Sequence, residues 1–169
     1  MNLSDMRLPR ELEADGIAGA ISHVLMARTV QLLPGGVFSV PMISIDVPLK
    51  KVLKRANLNG HIRRGLEAIS DKLARERKGI DHLREGRGLT SGERVSRLLL
   101  VSNDGAQRFY RQIEHLLQFH GPRLLGCMLD MDSSSLGSLI TGKERQIKAI
   151  MVEHKGAVAE ILRAILASQ

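Results

Sequence analysis

Apolar and polar positions along the chain follow first a helical period, then a strand period, and the succession predicts an architecture. Residues 10–33 read as one or two helices broken near Gly16 and Gly19, with Ile17, Ile21, Val24, Leu25 and Leu32 at roughly helical intervals. Pro34-Gly35-Gly36 closes that segment. Val37 to Val47 is rich in apolar and β-branched residues. Pro41 lacks a ladder donor there, so the pattern predicts an edge strand or an extended crossing segment. Pro48 suits the first turn of a short helix with Leu49, Val52 and Leu53 inward and Lys50, Lys51, Lys54 and Arg55 outward, stopping at Asn57 to Gly60. Ile62, Leu66, Ile69 and Leu73 fall at i, i+4, i+7 and i+11, which predicts one amphipathic basic helix with Arg63, Arg64, Lys72 and Arg75 on its other faces. From Arg77 to Gly92, the glycines Gly79, Gly86, Gly88 and Gly92 and the mixed charges predict a loop or frayed helix.

Downstream the pattern is more regular. Leu98-Leu99-Leu100-Val101 reads as a buried strand ending at Ser102-Asn103-Asp104-Gly105. A helix with Phe109, Ile113, Leu116 and Leu117 inward follows and stops at Gly121-Pro122, before a second strand, Leu124 to Leu129. Asp130 or Asp132 can cap the next helix, which starts at Ser133-Ser134-Ser135, runs through Leu139 and ends at Gly142. Ile147 to Val152 supplies a third strand, and Ala157, Val158, Ile161, Leu162, Ile165 and Leu166 line one face of a final helix. Strands alternating with helices predict an α/β fold, a three-layer α/β/α sandwich with a mixed sheet over about residues 60–169, plus a partly helical N-terminal extension. Three segments are expected: an N-terminal helical or extended element over 1–49, basic helices and a Gly-rich loop over 50–92, and an α/β core over 93–169, with 50–169 forming one domain.

Charge sharpens this division. The 169 residues carry a formal charge of +7, and residues 50–94 alone hold 13 basic against 6 acidic side chains. Residues 1–49 hold 3 basic against 5 acidic side chains, and residues 95–169 hold 9 against 7. A basic middle third points to an anionic partner, with nucleic acid first, although Glu67, Asp71, Glu76, Asp81 and Glu85 interleave as on a solvated helical face. With no Trp, one Tyr and three Phe, a base-stacking surface of several aromatics is excluded, so Arg, Lys and backbone groups must carry any such binding. The single cysteine, Cys127, permits no internal disulfide, which suggests a reducing, cytoplasmic location. The longest apolar stretch, Gly16 to Ala27, is too short for a spanning helix, so no membrane association is expected.

Candidate chemistry is sparse. His115 and His120 are five apart and no His-carboxylate pair has metal-ligand spacing, so scattered histidines and no metal are expected. Cys127 sits within an apolar strand and reads as an inert buried thiol. Thr141-Gly142-Lys143 lacks the hydroxyl that follows lysine in a phosphate loop, where Glu144 stands. Asp104, Asp130 and Lys148 near strand ends could imitate a phosphoacceptor pocket, but the two aspartates serve equally as helix caps, the preferred reading. No acid, base, nucleophile or metal set converges, so neither an enzyme nor a cofactor is expected. The segment from Ser133 through Gly137 and Gly142 to Lys143 is the most informative. A hydroxyl-rich entry to a helix with Lys143 and Arg145 nearby allows close approach by phosphate or ribose.

The series of a strand ending in Ser102-Asn103-Asp104, a helix to His120, Gly121-Pro122 and a strand, then Leu136-Gly137 and Gly142 before a strand from Ile147, resembles the superfamily of kink-turn-binding ribosomal proteins. This is the seven-Ae and thirty-e type, whose relatives include the release-factor C-terminal domain. The resemblance covers about residues 93–166, with a looser match from Gly60, and it implies an α/β/α sandwich that binds RNA without catalysis. The matching positions lie around Gly65 to Lys72 and Ser133 to Ser138. Where the kink-turn binders carry a Gly-Asn-Glu-Lys-like helix start, this chain has Gly65-Leu66-Glu67 followed by Ala68 and Ile69. Release-factor relatives use the fold mainly to bind proteins.

The expectation is therefore a non-catalytic, ribosomal-protein-like RNA-binding protein connected with translation, tRNA or RNA processing. Structured RNA is the expected partner. Arg63, Arg64, Lys72, Arg75, Arg77 and Lys78 would supply phosphate contacts; Ser135, Gly137, Lys143 and Arg145 would line the loop side. Such a two-part site requires the basic helix and the serine loop to share a face. The alternative is a protein-interaction module of the same fold, with residues 1–49 docking a protein partner or forming a homodimer.

Overall fold

The computed structural model describes residues 3–87 and 94–168. After a 3₁₀ turn at Leu3–Asp5, the chain forms α1 (Arg10–Ala14), α2 (Ala18–Ala27), β1 (Thr29–Gln31), β2 (Ser39–Ile43), α3 (Val47–Leu58), β3 (Ile62–Arg64) and α4 (Leu66–Arg87). It continues through β4 (Arg97–Val101), α5 (Gln107–His120), β5 (Leu124–Leu129), α6 (Ser133–Thr141), β6 (Ala149–Val152) and α7 (Lys155–Ala167). The six strands form one mixed sheet in the order β1-β2-β5-β4-β6-β3. β2, β5 and β4 are mutually parallel, β6 runs antiparallel to β4, and β3 and β1 pair antiparallel with β6 and β2 at the two edges.

Alternation along the strands divides the core into two layers, because successive side chains point to opposite faces of a sheet. Leu98, Leu100, Leu125, Cys127, Leu129, Ile150 and Val152 pack beneath α1, α2, α3, α6 and α7. Leu99, Val101, Leu124, Met128, Ala149 and Met151 pack beneath Ile69 and Leu73 of α4 and Tyr110, Ile113, Leu116 and Leu117 of α5. All six residues of β5 are buried, the signature of a strand covered on both faces. The expected three-layer α/β/α arrangement and mixed sheet are present. The partly helical N-terminal element adds β1 and β2 to the sheet and contributes Met6, Leu8 and Leu12 to the core.

Several local expectations change. Ile62, Arg63 and Arg64 are a strand, not the start of a helix, because Gly65 with φ +84° turns the chain before Leu66 and its N–H bonds to the carbonyl of Ala149. Of the loop or frayed helix expected from Arg77, the helical alternative holds to Arg87, since α4 passes through Gly79 and Gly86; residues 88–92 lie outside the described residues. Gly19 likewise lies inside α2, and the break falls at Gly16.

The segment Val37 to Val47 is not an edge strand: β2 lies second in the sheet and spans only Ser39–Ile43, with Asp46 capping α3 by accepting from the Leu49 N–H. Pro41 is tolerated because the Met42 N–H points toward β1, to Arg28, so the proline nitrogen faces β5, and pairing with β5 starts only at Met42. Asp104 does not cap its own helix, whose cap is Ala106. It reaches instead to the start of α6.

Candidate nucleic-acid interface

The carboxyl ends of β2, β3, β4 and β5 all lie at one pole of the sheet, where open α/β sheets form ligand crevices. An open groove of about 1140 Å³ occupies this pole. Lys50 and Lys54 of α3 form one wall, and the exposed hydroxyl row Ser134, Ser135 and Ser138 of α6 forms another. Met131 and Leu139 add apolar surface, and Arg145 enters from the segment that returns along α6.

Two features hold this arrangement. The Asp132 carboxylate accepts from Ser135 N–H at 2.7 Å, and Asp104 accepts from the Ser133 N–H at 3.0 Å and its hydroxyl at 2.8 Å. Burial alone would raise the Asp104 carboxyl, but the Ser133 hydrogen bonds overcome it and hold the group below its ordinary range. The start of α6 is thus already occupied by two carboxylates and is not an open anion cradle, so the close approach of a phosphate expected at this helix entry is not offered by its first N–H groups.

Gly137 is the second feature. It is buried, and a Cβ there would lie 1.5 Å from the Arg145 carbonyl oxygen, so only glycine lets the returning segment lie against α6. Ile147 N–H then bonds to the Ser133 carbonyl at 3.0 Å. Gly137 therefore positions Arg145 without itself lining the groove.

The groove lining carries three basic side chains, Lys50, Lys54 and Arg145, and three acidic ones, Asp130, Asp132 and Glu144. Asp130 pairs with Arg28 at 3.3 Å, whereas Asp132, the α6 cap, and Glu144 keep their charges with no ion pair among the described residues. Lys50, Lys54 and Arg145 are exposed and make no ion pair among the described residues.

The remaining residues of the expected site are dispersed. α4 and α6 pack on opposite faces of the sheet, so the basic helix and the serine loop do not share a face. Arg63 on β3 forms a bidentate pair with Glu153 at 2.7 and 3.2 Å, and Arg64 donates to the Asn57 side chain at 3.2 Å. Lys72 stands 3.9 Å from Glu76. Arg77 donates to the Phe119 carbonyl at 2.7 Å, lies 3.4 Å from Asp81 and covers the Phe119 ring at 5.0 Å from its centre. Arg75 and Lys78 are exposed on α4, and Lys143 follows Gly142 at the exposed end of α6.

Ser135 and Arg145 are the two expected side chains that line the groove. In the sequence, Lys50 and Lys54 mark only the outward face of a short helix. Their i, i+4 spacing on an exposed face, at the point where the basic third begins, is the signal that marks them.

At the opposite pole, where β4 and β5 begin, Glu76 accepts from Arg97 at 3.0 to 3.2 Å and pairs with Arg123. Burial would raise the Glu76 carboxyl, yet the two guanidinium groups hold it below its ordinary value. Cys127 is fully buried, which pushes its thiol up to about 12. The described residues contain no group of three or more His, Cys, Asp or Glu arranged to hold a metal, and no helix among them is long and apolar enough to cross a membrane.

Fold and groove together define a class: a mixed-sheet α/β/α protein with an open crevice, lined by charged side chains and serine hydroxyls, at the carboxyl ends of its parallel strands. No family model and no curated protein matches the chain. Among solved structures it is similar to a protein of unknown function from Bacillus halodurans C, at 16% identity and a TM-score of 0.45, covering 71% of this chain and 98% of that one. It is also similar to the Giardia lamblia 15.5kD RNA binding protein, at 14% identity and a TM-score of 0.43, covering 72% of this chain and 84% of that one.

Proposed function

We propose that this protein is a non-catalytic RNA-binding protein of the cytoplasm, acting in translation or RNA processing. One observation carries the reading: Lys50, Lys54 and Arg145 converge, without carboxylate partners among the described residues, on a groove lined by serine hydroxyls. Lysine and arginine side chains free of ion pairs can contact phosphates and release their counterions, beside the carboxylates of Asp130, Asp132 and Glu144 that share the lining, and adjacent hydroxyls add hydrogen bonds to phosphate or sugar. The sole thiol is buried, and the Ser133 hydroxyl is spent on Asp104, so the reading assigns the pole to binding.

The test is binding of RNA and duplex DNA by the intact protein across a salt series. Selective RNA binding that persists at physiological ionic strength, and weakens on charge reversal at Lys50 and Lys54, supports the reading. Equal, salt-labile binding to every polymer overturns it, and a stable protein complex or self-assembly in its place makes the chain a protein-interaction module.

A further inference from the structure

We propose that the groove between α3 and α6 takes an unpaired stretch of RNA, with phosphates along the Lys50–Lys54 wall and riboses along the Ser134–Ser138 wall. The proposal rests on the RNA-binding reading and names the form of RNA that the groove fits. The two walls differ in chemistry. Lys50 and Lys54 are one turn apart on α3, and Ser134 and Ser138 are one turn apart on α6, so each wall repeats its group at about 6 Å, four residues at the helical rise. A lysine ammonium is a point charge suited to phosphate. A serine hydroxyl both donates and accepts, as does the ribose 2′-hydroxyl that distinguishes RNA from DNA.

Between the walls, Met131 and Leu139 offer half-buried apolar surface. A duplex keeps its base faces stacked inside and presents only phosphates and groove edges, so it leaves such surface uncovered. Unpaired bases can cover it. Because the groove lining contains no aromatic ring, base contacts here are apolar and tolerant of sequence, and selectivity lies in the sugar.

The experiment measures fluorescence anisotropy of the intact protein with labelled oligo-uridine RNA, oligo-deoxyuridine of the same length and a duplex RNA hairpin, at physiological salt. The single-stranded RNA should bind more tightly than the DNA or the duplex. Lys50→Glu with Lys54→Glu should weaken it about tenfold or more and lower the slope of log affinity against log salt by about one unit per lysine. Ser134→Ala with Ser138→Ala should bring RNA down to the affinity of the DNA and leave DNA binding unchanged. All four side chains are exposed, and thermal melting confirms that each variant is folded. If single-stranded RNA binds but the lysine variant does not weaken it, or the duplex binds more tightly, the groove assignment falls while the RNA-binding reading stands. If RNA and DNA bind equally in the parent protein, the ribose wall is wrong. If no nucleic acid binds, both readings fail.

Discussion

At the pole where β4 and β5 begin, Glu76 holds the guanidinium groups of Arg97 and Arg123 and stands 3.9 Å from Lys72, with Glu76, Arg97 and Arg123 largely withdrawn from water. At the pole where β2 and β5 end, Lys50, Lys54 and Arg145 stand in solvent around a groove. Each pole gathers three basic side chains, and a basic count treats them alike. Their surroundings do not: one set is used to join α4 to the starts of two strands, and the other stands free of ion pairs in an open groove that it shares with Asp130, Asp132 and Glu144. A basic count thus becomes a functional argument only after the neutralised charges have been removed from it.

The comparison is broken most directly at Glu76. Glu76→Gln leaves Arg97 and Arg123 with no carboxylate in a largely desolvated position, and breaking such a cluster should cost about 3 kcal/mol of folding stability, read by chemical denaturation. Lys50→Ala and Lys54→Ala should each stay within about 0.5 kcal/mol of the parent, since they are exposed and unpaired. Equal destabilisation at both poles would erase the distinction.

Gly137→Ala comes next. Its methyl group would meet the Arg145 carbonyl, and relief by shifting the returning segment should cost about 1–3 kcal/mol, as overpacking does. The same shift displaces Arg145, so RNA affinity should fall in protein that is still folded. Unchanged affinity would remove Arg145 from the site.

Acidity probes the Glu76 pole without mutation. Burial, with the Arg77 and Arg123 cations, lowers the pKa of His120, and the arginines hold that of Glu76 below its ordinary value. In both cases the unfolded chain binds the proton more readily, so stability rises with pH. The melting temperature should therefore be highest above pH 6.5, fall as pH drops from 6.5 through the lowered His120 value, and fall again below 4.5 through that of Glu76. His120→Phe should remove the upper step and Glu76→Gln should shrink the lower, which Asp104 at the groove pole shares. A profile flat over this range would show that the network contributes little.

Much of the fold is legible in the sequence because β4, β5, α5, α6 and α7 have apolar patterns set by burial alone. β3 escapes because Ile62 and Leu66 keep helical spacing across the turn at Gly65, so a three-residue strand hides inside a helical period. The continuation of α4 through Gly79 and Gly86 escapes because two glycines outweigh, in pattern, an anchor invisible in one dimension: Arg77 docked on Phe119, 42 residues away. Site residues fail for the same reason. Arg63 and Glu153 are 90 residues apart, and Glu76 meets Arg97 and Arg123 across 21 and 47, so sequence shows the cations without their partners. Ser135 and Arg145 were found because the loop that carries them is local.

The smallest expected effect is at Arg75 and Lys78, which are exposed like the groove lysines but belong to the α4 layer near the opposite pole. β4, which runs between the poles, is five residues long and spans about 16 Å at the strand rise, against a Debye length of about 8 Å at physiological salt. Charge reversal at both positions should therefore change RNA affinity less than about threefold at physiological salt, while weakening nonspecific binding at low salt, where screening lengthens to about 30 Å. The paired measurement with Lys50→Glu and Lys54→Glu is decisive because both doubles change net charge equally. A matching loss from the α4 pair would mean that RNA answers to the total charge of the chain rather than to the groove, and the two poles would then be functionally the same.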